Sequence, residues 1–199
     1  MSRGTGLVAA VAAAVLLTGC GSEHTSAGGT PTGGPVSTAT PDPSLAACPP
    51  PGRKATTEGG RALPALTLPC LAGGADVALD RMTGVPTVVN LWASWCGPCR
   101  AETPALQDFS ARAGAKVRVI GVATTDQSES TARTFLHSAG AHYASVYDES
   151  GKVRRALGLP GLPGTALLRP DGAIVKVLVG PVTTTSLTAA VSRYLDVSL

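Results

Sequence analysis

The feature that most restricts the fold is an apolar stretch that leads into two cysteines separated by two residues. Thr87–Ala93, with the sequence TVVNLWA, is a nearly continuous apolar run, which predicts a central strand buried on both faces. Cys96 and Cys99 follow, and the chain from Cys99 to Ala113 favours a helix. The active chemistry of this chain is therefore expected where a buried strand gives way to a helix.

The remaining pattern predicts the element order β-α-β-α-β followed by β-β-α. The other predicted strands are 62–68, 76–79, 116–123, 144–147, 165–168 and 173–179, and the other helices are 128–139, 153–157 and 186–195. The sequence RPDG between the last two strands is typical of a hairpin turn. A parallel half joined to an antiparallel hairpin predicts an α/β fold with a mixed central sheet and helices on both faces.

The N-terminus has the pattern of an export signal. Arg3 precedes an eleven-residue apolar run, Leu7–Leu17, which is too short to span a membrane and suits a signal core. The sequence Leu-Thr-Gly-Cys that ends at Cys20 resembles the bacterial lipoprotein processing site. That resemblance implies a signal peptide over residues 1–19, cleavage before Cys20 and acylation of its sulfur. The expected location is the extracytoplasmic face of the bacterial membrane, with the lipid as anchor.

Residues 20–47 are predicted to be a flexible linker, because small and turn-forming residues dominate them. The domain is then expected to span residues 48–199. The chain carries 16 Lys and Arg against 13 Asp and Glu, a balance too mild to indicate nucleic-acid binding.

The two cysteines of the Cys-Gly-Pro-Cys sequence are suited to redox chemistry. Cys96 would lie at a helix N-terminus, where free N–H groups and the helix dipole stabilise a thiolate, so it is predicted to attack. Cys99, one turn further on, would resolve the mixed disulfide. A zinc site would need two more ligands that the sequence does not supply, so neither a metal nor a cofactor is predicted.

The segment VVNLWASWCGPCRAETPAL resembles the active-site segment of thioredoxin-fold proteins, and more narrowly that of the exported TlpA/ResA type. The similarity extends from about Leu63 to Leu195. It implies a thioredoxin fold with a short N-terminal extension, and activity as a protein thiol–disulfide oxidoreductase. It also implies that Pro163 is the cis proline facing the disulfide, and that the backbone of Leu162 binds a partner chain.

Two further positions are interpreted through the same resemblance. Glu102, three residues after Cys99, matches an acidic residue of this type that is thought to handle protons at the cysteine pair. Asn90 stands where cytosolic thioredoxins carry a buried Asp, and an amide cannot accept a proton in its place. Trp95 is expected to cover the pair at the surface where a partner docks.

Cys48 and Cys70 both precede the first central strand. In an exported protein, the expectation is a structural disulfide that holds the N-terminal extension on the domain. The alternative is a second redox pair that passes electrons to Cys96 and Cys99.

The predicted function is reduction of disulfides in exported proteins, such as those of cytochrome c maturation, with electrons from a membrane thiol carrier. One rival is an oxidant of the same fold that introduces disulfides. Another is a chaperone that holds Cu(I) between Cys96 and Cys99, for which two thiolates suffice. A peroxidase of the peroxiredoxin type does not fit the residues that precede Cys96.

Overall fold

The computed structural model describes residues 41–57 and 60–199. The predicted signal peptide, Cys20 and the first part of the predicted linker lie outside the described residues. Within the described part, no helix is both long and apolar enough to cross a membrane.

The core of the domain is a five-stranded sheet in the order β5-β4-β3-β6-β7. The five strands are β3 Thr87–Trp92, β4 Arg118–Thr124, β5 Ala144–Asp148, β6 Gly164–Leu168 and β7 Ile174–Val179, and a separate two-stranded sheet joins β1 Thr67–Leu68 to β2 Val77–Ala78. The pairs β3–β4 and β4–β5 are parallel. The pairs β3–β6 and β6–β7 are antiparallel. The predicted mixed sheet is therefore confirmed.

The helices are α1 Gly97–Ala113, α2 Glu129–Ser138, α3 Lys152–Leu157 and α4 Thr184–Leu195, with a 3₁₀ turn at Leu79–Arg81. α1, α2 and α4 cover one face of the sheet, where Phe109, Leu136 and Leu187 are buried in the same core cluster. α3 covers the other face together with β1 and β2. Helices therefore lie on both faces, as predicted.

The alternation of side chains along β3 explains why the strand looks continuously apolar in sequence. Val88 and Trp92 enter the core beneath the three long helices, while Val89 and Leu91 enter the core on the other face. All six residues of the strand are buried. Asn90 lies between Val89 and Leu91, so its amide faces the same side as α1.

The N-terminal part of the described chain covers an edge of the central sheet. The amide of Leu71 donates to the carbonyl of Ser145 at 2.8 Å, and the amide of Tyr147 donates to the carbonyl of Pro69 at 3.0 Å. Residues 69–71 thus pair with β5 and shield an edge that would otherwise be open to pairing with another chain. Cys70, in the middle of this segment, is disulfide-bonded to Cys48 with 6.0 Å between the Cα atoms.

Residues 41–47, which the sequence assigns to the linker, pack against the domain in the structure. The amide of Asp42 donates to the carbonyl of Ala72 at 2.7 Å, and its carboxylate lies 2.8 Å from the imidazole of His137. Leu45 is buried in the core beneath α2. Residues 41–47 therefore contact the domain, because Leu45 and Asp42 have partners there that the local composition does not reveal.

Candidate redox-active site

Cys96 and Cys99 form a disulfide at the point where β3 gives way to α1, with 5.3 Å between their Cα atoms. Cys96 is the N-cap of α1, and its sulfur accepts a hydrogen bond from the backbone N–H of Cys99 at 3.3 Å. Sequence patterning starts the helix at Cys99, but the structure starts it at Gly97, because Pro98 fits the first helical turn. The sulfur of Cys96 therefore lies at the positive end of the helix dipole.

The two sulfurs differ in accessibility. The exposed fraction of Cys96 is 5%, whereas that of Cys99 is 0%. Both residues are largely covered, but Cys96 keeps a small exposed fraction and is adjoined by the exposed Gly97 and Pro98. This difference favours Cys96 as the residue that an incoming sulfur meets first.

Beneath the cysteine pair, Glu102 is buried in a small polar cluster. One oxygen of its carboxylate accepts from the side-chain amide of Asn90 at 2.8 Å, and the other accepts from the backbone N–H of Val182 at 2.8 Å. The amide of Asn90 also donates to the hydroxyl of Thr165 at 3.2 Å. Glu102 lies one helical turn after Cys99 and faces inward, so it is not a solvated helix residue.

Burial raises the pKa of Glu102 to about 7, although the hydrogen bonds from Val182 and Asn90 act in the opposite direction. Desolvation disfavours the charged form of a carboxyl group, and two donors do not offset it here. The pKa of Tyr143 is also raised, first by its burial and second by the charge of Glu102. Glu102 can therefore gain or lose a proton near neutral pH, which a solvated glutamate does not do.

Leu162 and Pro163 lie at the same end of the sheet as the cysteines. The peptide bond between them is cis, and the adjoining Gly164 pairs with Leu91 near the C-terminal end of β3. The carbonyl of Pro163 accepts from the amide of Gly180 at 3.0 Å. β6 therefore begins beside the end of β3 that leads to Cys96.

Two exposed apolar side chains lie at this end of the sheet. Among the described residues, the large apolar side chains that stay more than a third exposed are Trp95, Val179 and Leu199. Trp95 directly precedes Cys96, and Val179 pairs with Gly164, next to Pro163. Trp95 and Val179 thus bring two exposed apolar groups to the end of the sheet that carries the cysteine pair.

Sequence reasoning missed the carboxylate that holds the turn before Cys96. Asp126, just after β4, is buried and accepts from both the backbone N–H and the hydroxyl of Ser94, at 2.6 and 2.7 Å. The carbonyl of Ser94 accepts from Arg100 at 3.2 Å. The only signal in the sequence is a lone Asp at the end of a parallel strand, which is too common a feature to single out.

A dithiol–disulfide pair at the start of a helix, in a mixed sheet of this topology, defines the class of thioredoxin-like redox proteins. The chain belongs to the Redoxin family, whose model matches residues 58–197. Its relatives confirm the resemblance to the TlpA/ResA type of thioredoxin-like proteins.

Two curated relatives illustrate the similarity. Thiol:disulfide interchange protein CycY of Rhizobium leguminosarum bv. viciae is 38% identical over 122 residues, which are 61% of this chain and 61% of that protein. Sporulation thiol-disulfide oxidoreductase A of Bacillus subtilis is 28% identical over 136 residues, 67% of this chain and 82% of that protein. The chain thus covers about three fifths of the length of CycY.

Solved structures confirm the thioredoxin-like fold. A DsbF homologue from Corynebacterium diphtheriae superposes with a TM-score of 0.61 at 27% identity, covering 75% of this chain and 98% of that one. A thiol:disulfide interchange protein DsbE from Chlorobium tepidum superposes with a TM-score of 0.57 at 28% identity, covering 68% of this chain and 91% of that one.

Proposed function

We propose that this protein is a thiol–disulfide oxidoreductase that reduces disulfides of exported proteins. The observation that carries the proposal is the different placement of the two sulfurs. Cys96 caps α1 and reaches the surface, whereas Cys99 is fully buried behind it. An attacking sulfur has to meet a partner, and a resolving sulfur has to meet only the attacking one. The names of the relatives, which are thiol–disulfide oxidoreductases and interchange proteins, support the same activity.

In the reductive direction, the thiolate of Cys96 attacks one sulfur of the substrate disulfide. A mixed disulfide forms, and the first substrate sulfur leaves as a thiolate that takes up a proton. Cys99 then loses its proton and attacks the sulfur of Cys96, which releases the second substrate sulfur. Two electrons pass from the protein dithiol to the substrate, and the protein is left with the Cys96–Cys99 disulfide.

Glu102 is proposed to take the proton that Cys99 loses. Its carboxyl group is buried on the inner face of α1, and its pKa of about 7 allows it to accept a proton at neutral pH. Asn90 has no acid function and acts by holding one oxygen of the Glu102 carboxylate. This division of roles follows from the amide that replaces an acid at position 90.

The apolar surface around Cys96 is the proposed docking site for the substrate chain. Trp95 and Val179 offer exposed apolar area, and the backbone of Leu162 next to Pro163 is the proposed partner for an extended substrate segment. An unfolded or partly folded exported protein presents exposed apolar side chains and extended backbone, which match these two elements of the site. Proteins of cytochrome c maturation are the proposed substrates. The electron donor for the reductive reaction is proposed to be a membrane thiol carrier. The rival proposal is the opposite direction, in which the protein oxidises substrate dithiols.

The function is tested by mixing the reduced protein with a disulfide-bonded protein substrate such as insulin. The substrate is expected to be reduced while the Cys96–Cys99 disulfide forms in equal amount, and Cys96→Ser is expected to abolish the reaction. Failure of the reduced wild-type protein to reduce any protein disulfide, with rapid oxidation of substrate dithiols by its disulfide form, would establish the oxidant instead.

Replacing Glu102 by Gln is expected to remove a step near pH 7 from the pH profile of thiol–disulfide exchange. Wild-type Glu102 loses its charge as the pH falls through about 7, whereas Gln is neutral throughout. Loss of the nearby charge is also expected to lower the pKa of the Cys99 thiol. The rate of resolution is measured by stopped flow between pH 5 and 9.

The matched control for Glu102→Gln is Glu149→Gln, which removes one negative charge from an exposed side chain. That variant is expected to keep the wild-type profile. An unchanged profile in Glu102→Gln would show that water or another group manages the proton of Cys99.

The protein is proposed to be held at the extracytoplasmic face of the membrane by a lipid on Cys20. The support is the lipoprotein-like sequence that ends at Cys20, together with the turn-rich chain that follows it. Cys20→Ala is expected to move the protein from the membrane fraction to the soluble extracytoplasmic fraction, as measured by fractionation of intact cells. Membrane retention of Cys20→Ala without an uncleaved leader would contradict the lipid anchor.

A further inference from the structure

The carboxylate of Asp126 is the charged group most closely bound to the turn that carries Cys96. One oxygen accepts from the backbone N–H of Ser94 at 2.6 Å, and the other accepts from the Ser94 hydroxyl at 2.7 Å and from the backbone N–H of Gln127 at 2.9 Å. Asp126 itself is 6% exposed. Three N–H and O–H donors therefore hold this carboxyl group in place beside the turn.

This carboxylate is near the reactive sulfur because the turn is tight. The amide of Cys96 donates to the carbonyl of Ala93 at 3.1 Å, which closes the turn around Ser94. Two residues span at most about 7 Å between Cα atoms, and the 2.6 Å hydrogen bond to the Ser94 amide and the length of the Cys96 side chain add to that span, so the negative charge lies within about 14 Å of the Cys96 sulfur. A charge that is itself buried still acts on a thiolate at that range, because it is screened less than an exposed charge.

The other charged groups around the turn do not cancel Asp126. Arg100 on α1 binds the carbonyl of Ser94 and lies 5.2 Å from the ring of Phe135, but it is exposed and so more strongly screened. Glu129 at the start of α2 is paired with Arg133 at 3.5 Å, and Glu102 on α1 is a second acidic group. The pKa of Tyr147, whose hydroxyl donates to the backbone carbonyl of Asp126, is raised first by burial and then by the charges of Glu149, Asp126 and Glu129. The local field on this side of the pair is therefore negative.

We propose that Asp126 sets the redox balance of the cysteine pair, because its buried carboxylate opposes the thiolate of Cys96 and so makes the pair a stronger reductant. The helix N-terminus stabilises the thiolate and thereby the dithiol form, whereas a nearby negative charge destabilises both. Asp126 touches no reacting atom, so it is a positioning and charge-setting residue. The inference rests on the proposed function and adds the direction in which the pair is biased.

The test is Asp126→Asn, which removes the charge and keeps the shape of the side chain. The variant is equilibrated with a mixture of reduced and oxidised glutathione. In this equilibrium the protein dithiol reacts with one glutathione disulfide to give the protein disulfide and two glutathione thiols. The equilibrium is expected to shift several-fold toward the protein dithiol. The pKa of the Cys96 thiol, followed by thiolate absorbance, is expected to fall by about half a unit to one unit.

Two controls separate the charge from its hydrogen bonds. Ser94→Ala removes one hydrogen bond to the carboxylate but keeps the charge, and is expected to leave the thiol pKa close to that of the wild type. Asp80→Asn removes a negative charge near Arg81, toward the opposite end of β3, and is expected to change neither readout. If Asp126→Asn leaves both readouts unchanged, or if Ser94→Ala reproduces its effect, the carboxylate is only a clamp on the turn.

The wild-type protein gives a second measurement in case Asp126→Asn does not fold. With the carboxylate opposing the helix, the pKa of Cys96 is expected to lie above about 6.5, in the upper part of the range for such motifs. A value below about 6.5 would overturn the proposal. Neither readout needs a protein substrate, so an inability to reduce protein disulfides would contradict the proposed function without affecting this test.

Discussion

A Cys99→Ser variant is expected to remain covalently attached to its substrate and to lose turnover by a factor on the order of a thousand. The thiolate of Cys96 still attacks, but the hydroxyl that replaces the buried thiol of Cys99 is not ionised at neutral pH and cannot resolve the mixed disulfide. Cys96 keeps a small exposed fraction of 5%, whereas Cys99 is fully buried. The adduct is measured on a non-reducing gel and located by mass mapping.

The matched control is Cys96→Ser, which is expected to form no adduct because the remaining Cys99 thiol is fully buried. A stable adduct through Cys99 in that variant would reverse the assigned roles of the two cysteines. The same trap identifies substrates in cells, since each captured protein must have offered a disulfide to the Cys96 thiolate.

Removing the second disulfide with Cys48→Ala and Cys70→Ala is expected to lower the free energy of unfolding by about 3.4 kcal/mol in the chain-entropy model. The two cysteines are 22 residues apart in sequence, so their bond restricts a sizeable loop of the unfolded chain. The melting temperature is then expected to fall by about 10 °C for a domain of this size. Denaturant unfolding and thermal melting measure the two quantities.

A double Cys96→Ala and Cys99→Ala variant is the matched control for this disulfide. Its loop is only three residues in sequence separation, so the same model gives a smaller loss of about 2 kcal/mol. Turnover of the Cys48→Ala and Cys70→Ala protein is expected to be retained below its melting temperature. A loss of turnover without a loss of stability would favour the alternative in which Cys48 and Cys70 relay electrons.

The fold could be predicted from local pattern because each helix and strand has a characteristic spacing of apolar residues and characteristic residues at its ends. The run from Thr87 to Ala93 indicated the central strand, and β3 occupies Thr87–Trp92. The strand predicted over 62–68 was less well placed: it shrinks to Thr67–Leu68, because only those residues pair with β2. Short strands depend on their partners, which a local pattern does not contain.

The position of the cysteine pair, and the order proposed for the two sulfurs, could be inferred from sequence because both depend on neighbours along the chain. A cysteine that caps a helix receives free N–H groups from the residues directly after it, and a cysteine one turn later turns inward. Both relations depend only on the helix itself and not on what the helix packs against. The proposed roles of Cys96 and Cys99 therefore needed only the strand, the helix and the spacing between the two residues.

The environment of the pair was decided only by the tertiary structure, since it is built from residues far apart in sequence. Glu102 is buried because Asn90 on β3 and the amide of Val182 before α4 close around it, and this burial raises its pKa to about 7. Asp126 reaches Ser94 because parallel pairing brings the end of β4 beside the end of β3. Desolvation and electrostatic interactions act through space, so the sequence alone identified the cysteine pair, and only the folded chain determined which charged groups surround it.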